Sequence, residues 1–164
     1  MRLHAEVEVR APAALVFDVL STPERLPEWN VSVASACRRP AGAAVGLGSH
    51  AIFAGRLLGQ TLESEAQVVA FDRPRLFATH AVRGPRLSSA FRLDPVPFGT
   101  HLLVDVSGEL PGGKLGELLG ERLLRSELHA SLDRLRGLCE REARAAASGE
   151  PVEGDPACWL QLPE

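Results

Sequence analysis

The stretch VRAPAALVFDVLSTPERLPEWNVSV, residues 9–33, decides the fold class of this chain. Pro12 suits the first position of a helix, because its backbone angle is already helical and no N–H is needed there. Apolar residues then recur at helical spacing, which predicts a short helix over about 12–20. A second brief helix follows, with Ser21 or Thr22 as its N-cap.

The chain on either side of this stretch alternates polar and apolar residues, as half-buried strands do. His4 to Arg10 is predicted to be the first strand. Loops rich in proline and glycine separate later runs and are short enough for sequential antiparallel hairpins. Six further strands are predicted, over 31–38, 47–57, 60–71, 75–83, 86–94 and 99–109.

One of these runs also predicts which face of the sheet is wet. Polar side chains at 63, 65 and 67 alternate with smaller or apolar ones at 62, 64, 66 and 68. Because successive side chains of a strand point to opposite faces, the polar set is expected outward and the other set inward.

After this predicted sheet the pattern becomes helical from about Lys114 to Ala147. Leucines form one stripe, and charged residues on the opposite face are expected to be solvated. The chain is therefore predicted to be α+β, with a domain over 1–147 and a tail over 148–164. Trp159 is unusual for a free tail, and is expected to fold back on an apolar groove or to contact a second subunit of a homodimer.

Composition excludes several functional classes. The 164 residues are 45% hydrophobic and 24% charged, with a net charge of −3, and no basic cluster provides the footprint that nucleic acid requires. No apolar run is long enough to span a membrane, and the start lacks the apolar core of a signal peptide, so a cytoplasmic protein without stable membrane insertion is expected. Cys37, Cys139 and Cys158 are too widely spaced for a disulfide framework, and the sequence predicts no metal or cofactor.

The order of strand, two short helices, antiparallel strands and one long helix resembles the START-like superfamily, also called SRPBCC or Bet v 1-like. Residues 9–33 resemble its opening, VVAFDRPRLFATH at 68–80 its strand, turn and strand, and FGTHLLVDVSGEL at 98–110 its last strand. The similarity covers about residues 3–145 and is strongest for the bacterial polyketide cyclase-like and dehydrase-like branch. It implies a helix-grip fold, in which a curved antiparallel sheet wraps around the long C-terminal helix.

The resemblance also implies a cavity between the sheet and the long helix. Gly116 and Gly120 lie on one face of that helix, where they either leave space or admit a close contact with the sheet. The expected lining residues are Trp29, Phe53, Leu62, His80, Phe91, Leu102, Val104, Leu115 and Leu119.

Three of these assignments depend on which way a side chain faces. Trp29 either closes the mouth of the pocket or anchors the core. His80 faces inward if Arg83 faces outward and the strand alternates regularly between them. Phe53 lies in a strand whose two faces are both mainly apolar or small, so its direction stays open.

No nucleophile motif, Cys/His arrangement or inward carboxylate pair is visible, so catalysis is the minority interpretation. The main prediction is binding of a small hydrophobic molecule that is lipid-, quinone- or polyketide-like. One alternative is a polyketide cyclase/dehydrase-type enzyme, in which His80, Ser64, Thr79 or Ser89 steers the substrate. Another is a cochaperone-like protein-interaction module.

Overall fold

A computed structural model describes residues 1–110 and 112–149 of the chain. Its strands and helices confirm the predicted α+β helix-grip fold, and the strand ends after Trp29 fall within three residues of the predicted ones. A 3-10 turn over Pro23–Arg25 precedes the second helix. The elements are β1 (Arg2–Val9), α1 (Ala13–Ser21), α2 (Leu26–Trp29), β2 (Val33–Arg39), β3 (His50–Leu57), β4 (Gln60–Asp72), β5 (Leu76–Arg83), β6 (Leu87–Val96), β7 (Gly99–Gly108) and α3 (Gly113–Ser148).

The seven strands form one antiparallel sheet in the order β1-β7-β6-β5-β4-β3-β2. The strands from β2 to β7 are consecutive hairpins, and from β3 onward the loops between them are only two or three residues long, which favours such pairing. β1 closes the other edge by pairing with β7, for example through Leu3 opposite Val106. The curved sheet wraps around α3, and α1 and α2 complete the layer that faces it.

β4 confirms the predicted division of the sheet into a wet and a dry face. Leu62, Ser64, Ala66 and Val68 all face the interior, whereas Glu63 and Glu65 form ion pairs on the outside. Two bulges interrupt the regular alternation in this part of the sheet, one at Val69 of β4 and one at Val82 of β5. Both bulged valines are about half exposed, at 50% and 48%.

The long helix is gripped by the sheet along its second half. Leu132, Leu135 and Cys139 are almost fully buried and pack with α1 and the inner strands in one core. The helix ends at Gly149, which adopts a left-handed conformation and donates its N–H to the Ala145 carbonyl, as C-terminal glycines commonly do.

The first half of α3 differs from the prediction. Leu115 and Leu119 are 70% and 59% exposed, and so belong to neither the core nor a cavity wall. The leucine stripe predicts a buried face along the whole helix, but the sheet covers only the part that its strands reach. The same leucine periodicity therefore runs through both the exposed first half of α3 and its buried second half.

The predicted tail extends beyond the described residues. Its first two positions, 148 and 149, end the helix, while the expectation for Trp159 falls on residues outside the described part. The division of the chain at 147 stays a prediction.

Candidate functional site

A cavity of about 280 Å³ lies between the inner face of the sheet and α3, and is partly open to solvent. Its volume is close to the lower end of small-molecule pockets, roughly 300–1,000 Å³. The lining is mainly apolar and comes from the end of α1, from α2, from all seven strands, from connecting loops and from the middle of α3. This is the space that the helix-grip fold predicts.

Strand register explains how the sheet forms its wall. Val68, Thr79, Ser89, Val106 and Leu3 stand opposite one another on β4, β5, β6, β7 and β1. All five line the cavity, so they form one inward row across the sheet. Their row is apolar at both ends and carries two adjacent hydroxyls in the middle.

Three aromatic rings pack together in the wall of the cavity. Trp29 meets Phe91 edge to face at a centroid distance of 6.2 Å, and Phe91 stacks on Phe77 at 6.1 Å. All three are at most 8% exposed and belong to the hydrophobic core as well as to the lining. Trp29 therefore packs in the core, as one of the two predicted alternatives has it, and lines the cavity as well.

Contacts of the residues on either side of α2 with α3 hold Trp29 in this position. Arg25 donates to Glu142 of α3, with Nη1 at 3.1 Å from Oε2, and its Nε donates to Glu28 at 2.7 Å. These hydrogen bonds, first that with Glu142, raise the pKa of Arg25. The Ser131 hydroxyl of α3 accepts the Val31 N–H at 3.1 Å, which ties the chain just after α2 to the same helix.

Three ionisable residues, Glu127, Arg56 and His50, belong to the lining. Glu127 of α3 accepts a hydrogen bond from the Ser32 hydroxyl at 2.8 Å, and Arg56 lies near the end of β3 and is exposed. Gly55 allows the Ser32 segment to approach, because a Cβ at this position would overlap the Ser32 carbonyl oxygen. The third ionisable lining residue, His50, has its Nδ1 at 2.9 Å from Glu65.

Four of the residues predicted from the sequence line this cavity, namely Trp29, Phe53, Leu62 and Phe91. Phe53, whose direction the sequence left open, faces inward opposite Ser64. Their contact with a ligand stays a prediction.

The inward direction predicted for His80 is wrong. His80 is exposed on the outer face of the sheet, with its Nδ1 3.0 Å from the Ser88 hydroxyl. Arg83 does face outward, but the bulge at Val82 adds one residue between it and Ala81 and inverts the alternation. Phe77, Thr79 and Ala81 therefore face the cavity instead.

The other four predicted residues also lie elsewhere. Leu102 and Val104 face inward as expected, but they are fully buried in the core and do not line the cavity. Leu115 and Leu119 are exposed on the uncovered half of α3. Gly120 makes a close contact, since an added Cβ would lie 2.8 Å from a methyl group of Leu110, so it leaves no space for a ligand.

Sequence reasoning missed the lining residues that come from α3 and from the segment after α2. Ser32, Glu127 and Ser131 look like ordinary solvated residues, and their only signal is their spacing beside Leu124 and Leu128, which also line the cavity. Helical periodicity identifies that face of α3, but not the depth at which each residue meets the sheet.

Residues 1–110 and 112–149 present neither a cluster of metal-binding side chains nor a helix that could cross a membrane. No group of three or more His, Cys, Asp or Glu side chains has an arrangement suited to a metal ion there. In the same residues, no helix combines the length and apolar character that crossing a membrane requires.

Comparison with solved structures supports the fold. The chain is similar to the Zhui aromatase/cyclase from Streptomyces sp. R1128, with a TM-score of 0.73 and 19% identity over 89% of this chain and 97% of that one. It is also similar to a START superfamily protein from Mycobacterium smegmatis, with a TM-score of 0.62 and 19% identity over 88% and 98%. Ginseng major latex-like protein 151 from Panax ginseng gives a TM-score of 0.67 and 11% identity over 85% and 97%.

A comparison with curated proteins gave no match. A family model described as polyketide cyclase / dehydrase and lipid transport matches residues 1–140. That match covers most of the 164 residues and the whole sheet that forms the cavity. The chain therefore belongs to the polyketide cyclase / dehydrase and lipid transport family.

Proposed function

We propose that this protein binds one small, mainly apolar molecule, of a lipid-, quinone- or polyketide-like kind, in the cavity between the sheet and α3. The observation that carries the proposal is the cavity itself, about 280 Å³ in volume and lined mostly by aliphatic and aromatic side chains. The family description, which includes lipid transport, supports the same function.

Binding is driven by removal of apolar ligand surface from water, which contributes roughly 25 cal/mol per Å² before entropic costs. Trp29, Phe77 and Phe91 provide a rigid part of the wall, because their rings pack on one another and are buried. A preformed wall lowers the ordering cost of binding.

The test places a large side chain at a residue that lines the cavity, so that the side chain occupies the cavity. The same change at the next residue of the strand is the control. Ala81 lines the cavity, whereas Val82 is the exposed bulge residue beside it. We expect Ala81→Phe to abolish the fluorescence response of a hydrophobic dye and to remove any co-purifying hydrophobic mass seen by native mass spectrometry. Val82→Phe should keep both.

Melting curves of the two variants establish that each is folded. A wild-type protein that purifies without a ligand and does not respond to the dye would contradict the proposal. An equal dye response of wild type and folded Ala81→Phe would place the dye outside the cavity and contradict it as well.

A cyclase- or dehydrase-type reaction in the same cavity is the second candidate. The family description names both activities, and Glu127 adds a carboxylate to the lining, beside the Ser32 hydroxyl. In this case Glu127→Gln is expected to bind a poly-β-ketone substrate normally and to lose its turnover. Unchanged turnover in that variant would exclude a catalytic role for Glu127.

A further inference from the structure

The first half of α3 presents a row of leucines to solvent, which we call the leucine face. Its members are Leu115, Leu118, Leu119 and Leu123, and they are between 44% and 70% exposed. They recur every three or four residues, so their side chains are neighbours along one side of the helix. Contiguous apolar patches on a protein surface are typical of sites that bind a partner.

The charges beside the leucine face are all positive. Lys114 and Arg122 are exposed on the same side of α3. The acidic residues of this stretch, Glu117 and Glu121, are each two positions from Leu119, which corresponds to about 160° around the helix axis. Glu117 is paired with the N-terminal amino group at 2.9 Å, and Glu121 with the arginine four residues further on at 2.8 Å. The exposed side of residues 113–123 therefore combines leucines with basic groups.

The apolar segment around Trp159 cannot cover this face within the same copy of the chain. At 1.5 Å per residue, Leu123 is about 39 Å from Gly149 along the axis of α3, and the other three leucines are farther away. Trp159 is ten residues beyond Gly149 and reaches at most about 36 Å from it, even along a fully extended chain.

A second copy of the chain is also a poor match. A two-fold axis brings the same surface of both copies together. Lys114 and Arg122 would then approach the cations of the other leucine face without an acidic partner on it. Like charges that are placed together across an interface disfavour association.

A bilayer that contains anionic lipids fits both features of the face. Helices that lie in the membrane interface bury an apolar side near the acyl chains, and lysine and arginine beside it attract anionic headgroups. The whole chain has a net charge of −3, so its attraction to such a surface depends on a local basic region and not on the overall charge. The same dependence orients the protein on the bilayer.

We propose that the leucine face docks reversibly on an anionic lipid bilayer. The four leucines enter the boundary between headgroups and acyl chains, and Lys114 and Arg122 lie among the headgroups. In this arrangement α3 lies along the bilayer surface and does not cross it. Leu124, the residue after the face, lines the cavity, so docking brings part of the cavity wall close to the bilayer. This inference adds a partner to the proposed function and does not depend on it.

Flotation with lipid vesicles tests the leucines. The wild-type protein is expected to bind vesicles containing phosphatidylglycerol more tightly than vesicles of phosphatidylcholine alone, and added salt should reduce the difference by screening the charges. Leu115→Gln should weaken binding about tenfold, roughly the effect of exposing one buried leucine. Leu47→Gln is the matched control and should bind as the wild type does, since Leu47 is 73% exposed but lies between β2 and β3.

A second comparison removes the same amount of charge from two places. Lys114→Gln with Arg122→Gln neutralises the leucine face, whereas Arg134→Gln with Arg144→Gln neutralises two exposed arginines in the second half of α3. The first double variant should lose most of the preference for phosphatidylglycerol, and the second should keep it. Equal losses would show that overall charge governs binding and would overturn the proposal. Circular dichroism and melting curves check that all variants are folded.

Two further results separate docking from its alternatives. Ala81→Phe, which obstructs the cavity, should bind vesicles as the wild type does, and a loss of binding would show that lipid uptake into the cavity is responsible instead. Wild-type protein that does not bind anionic vesicles would also overturn the proposal. If that protein sedimented as a dimer, and Leu115→Gln as a monomer, the leucine face would be an interface between copies.

Discussion

Trp29 of α2 and Phe91 of β6 meet edge to face, with ring centroids 6.2 Å apart and ring planes at 89°. Aromatic pairs in this arrangement add to the free energy gained by burial. The contact joins the helical layer to the sheet, and both rings belong to the hydrophobic core as well as to the cavity wall.

We expect Phe91→Ala to lower the free energy of unfolding by about 3 kcal/mol, because the ring is buried and also stacks on Phe77. Phe98→Ala is the control, since Phe98 is 87% exposed in the turn between β6 and β7, and its effect should stay within about 0.5 kcal/mol. Urea denaturation measures both. Similar losses for the two variants would show that Phe91 is not part of the core.

The two halves of α3 should respond differently to the same substitution. Leu135 is fully buried under the sheet and Leu115 is 70% exposed, while the change in helix propensity is the same at both sites. Leu135→Ala is expected to cost about 2–5 kcal/mol, and Leu115→Ala less than about 0.5 kcal/mol. If Leu115→Ala destabilised the protein as much in thermal or urea unfolding, the first half of α3 would have to be covered in solution.

The outer face of the sheet contains a pH-dependent contact between β1 and β7. His4 Nδ1 lies 2.9 Å from Asp105, and its Nε2 lies 3.2 Å from Glu6. Hydrogen bonding to Asp105, and then to Glu6, raises the pKa of His4 above 6.5. The folded state therefore binds this proton more tightly than the unfolded state does.

Because folding raises the pKa of His4, its protonated form stabilises the folded state. This stabilisation is fully present below about pH 6.5 and disappears as the pH rises through the raised pKa. His4→Gln should lower the melting temperature at about pH 5.5 and have no effect at about pH 8.5. His80→Gln is the control, because the described neighbour of that exposed imidazole is a serine hydroxyl and not a carboxylate. A His4 titration midpoint at or below 6.5 in NMR spectra would contradict the prediction.

Cys139 should be chemically silent in the folded protein. Burial raises the pKa of its thiol to about 12, so almost no thiolate is present at neutral pH. In a Cys158→Ser background, iodoacetamide is expected to modify the exposed Cys37 and to reach Cys139 only after unfolding. Rapid modification of the native Cys37→Ser, Cys158→Ser variant would show that the core around α3 opens readily.

Much of the fold was predictable because it depends on local patterns. Alternation on β4 identified the inward set at 62, 64, 66 and 68, and the Pro12 start identified α1. The candidate site was predictable only in part. Trp29, Phe53, Leu62 and Phe91 line the cavity, but His80 does not, because the bulge at Val82 inverts the face of β5 and leaves no clear mark in the sequence.

The sequence by itself determined the order of the elements and the hydrophobic face of each, since these follow from periodicities of 2 and 3.6 residues within a segment. Only the tertiary structure decided which apolar residues are core, cavity wall or surface. Leu135, Leu128 and Leu119 follow the same helical pattern, yet they lie in the core, at the cavity and in solvent, respectively. The reason is that the sheet curves around only part of α3, and the extent of that contact is set by pairing between strands distant in sequence.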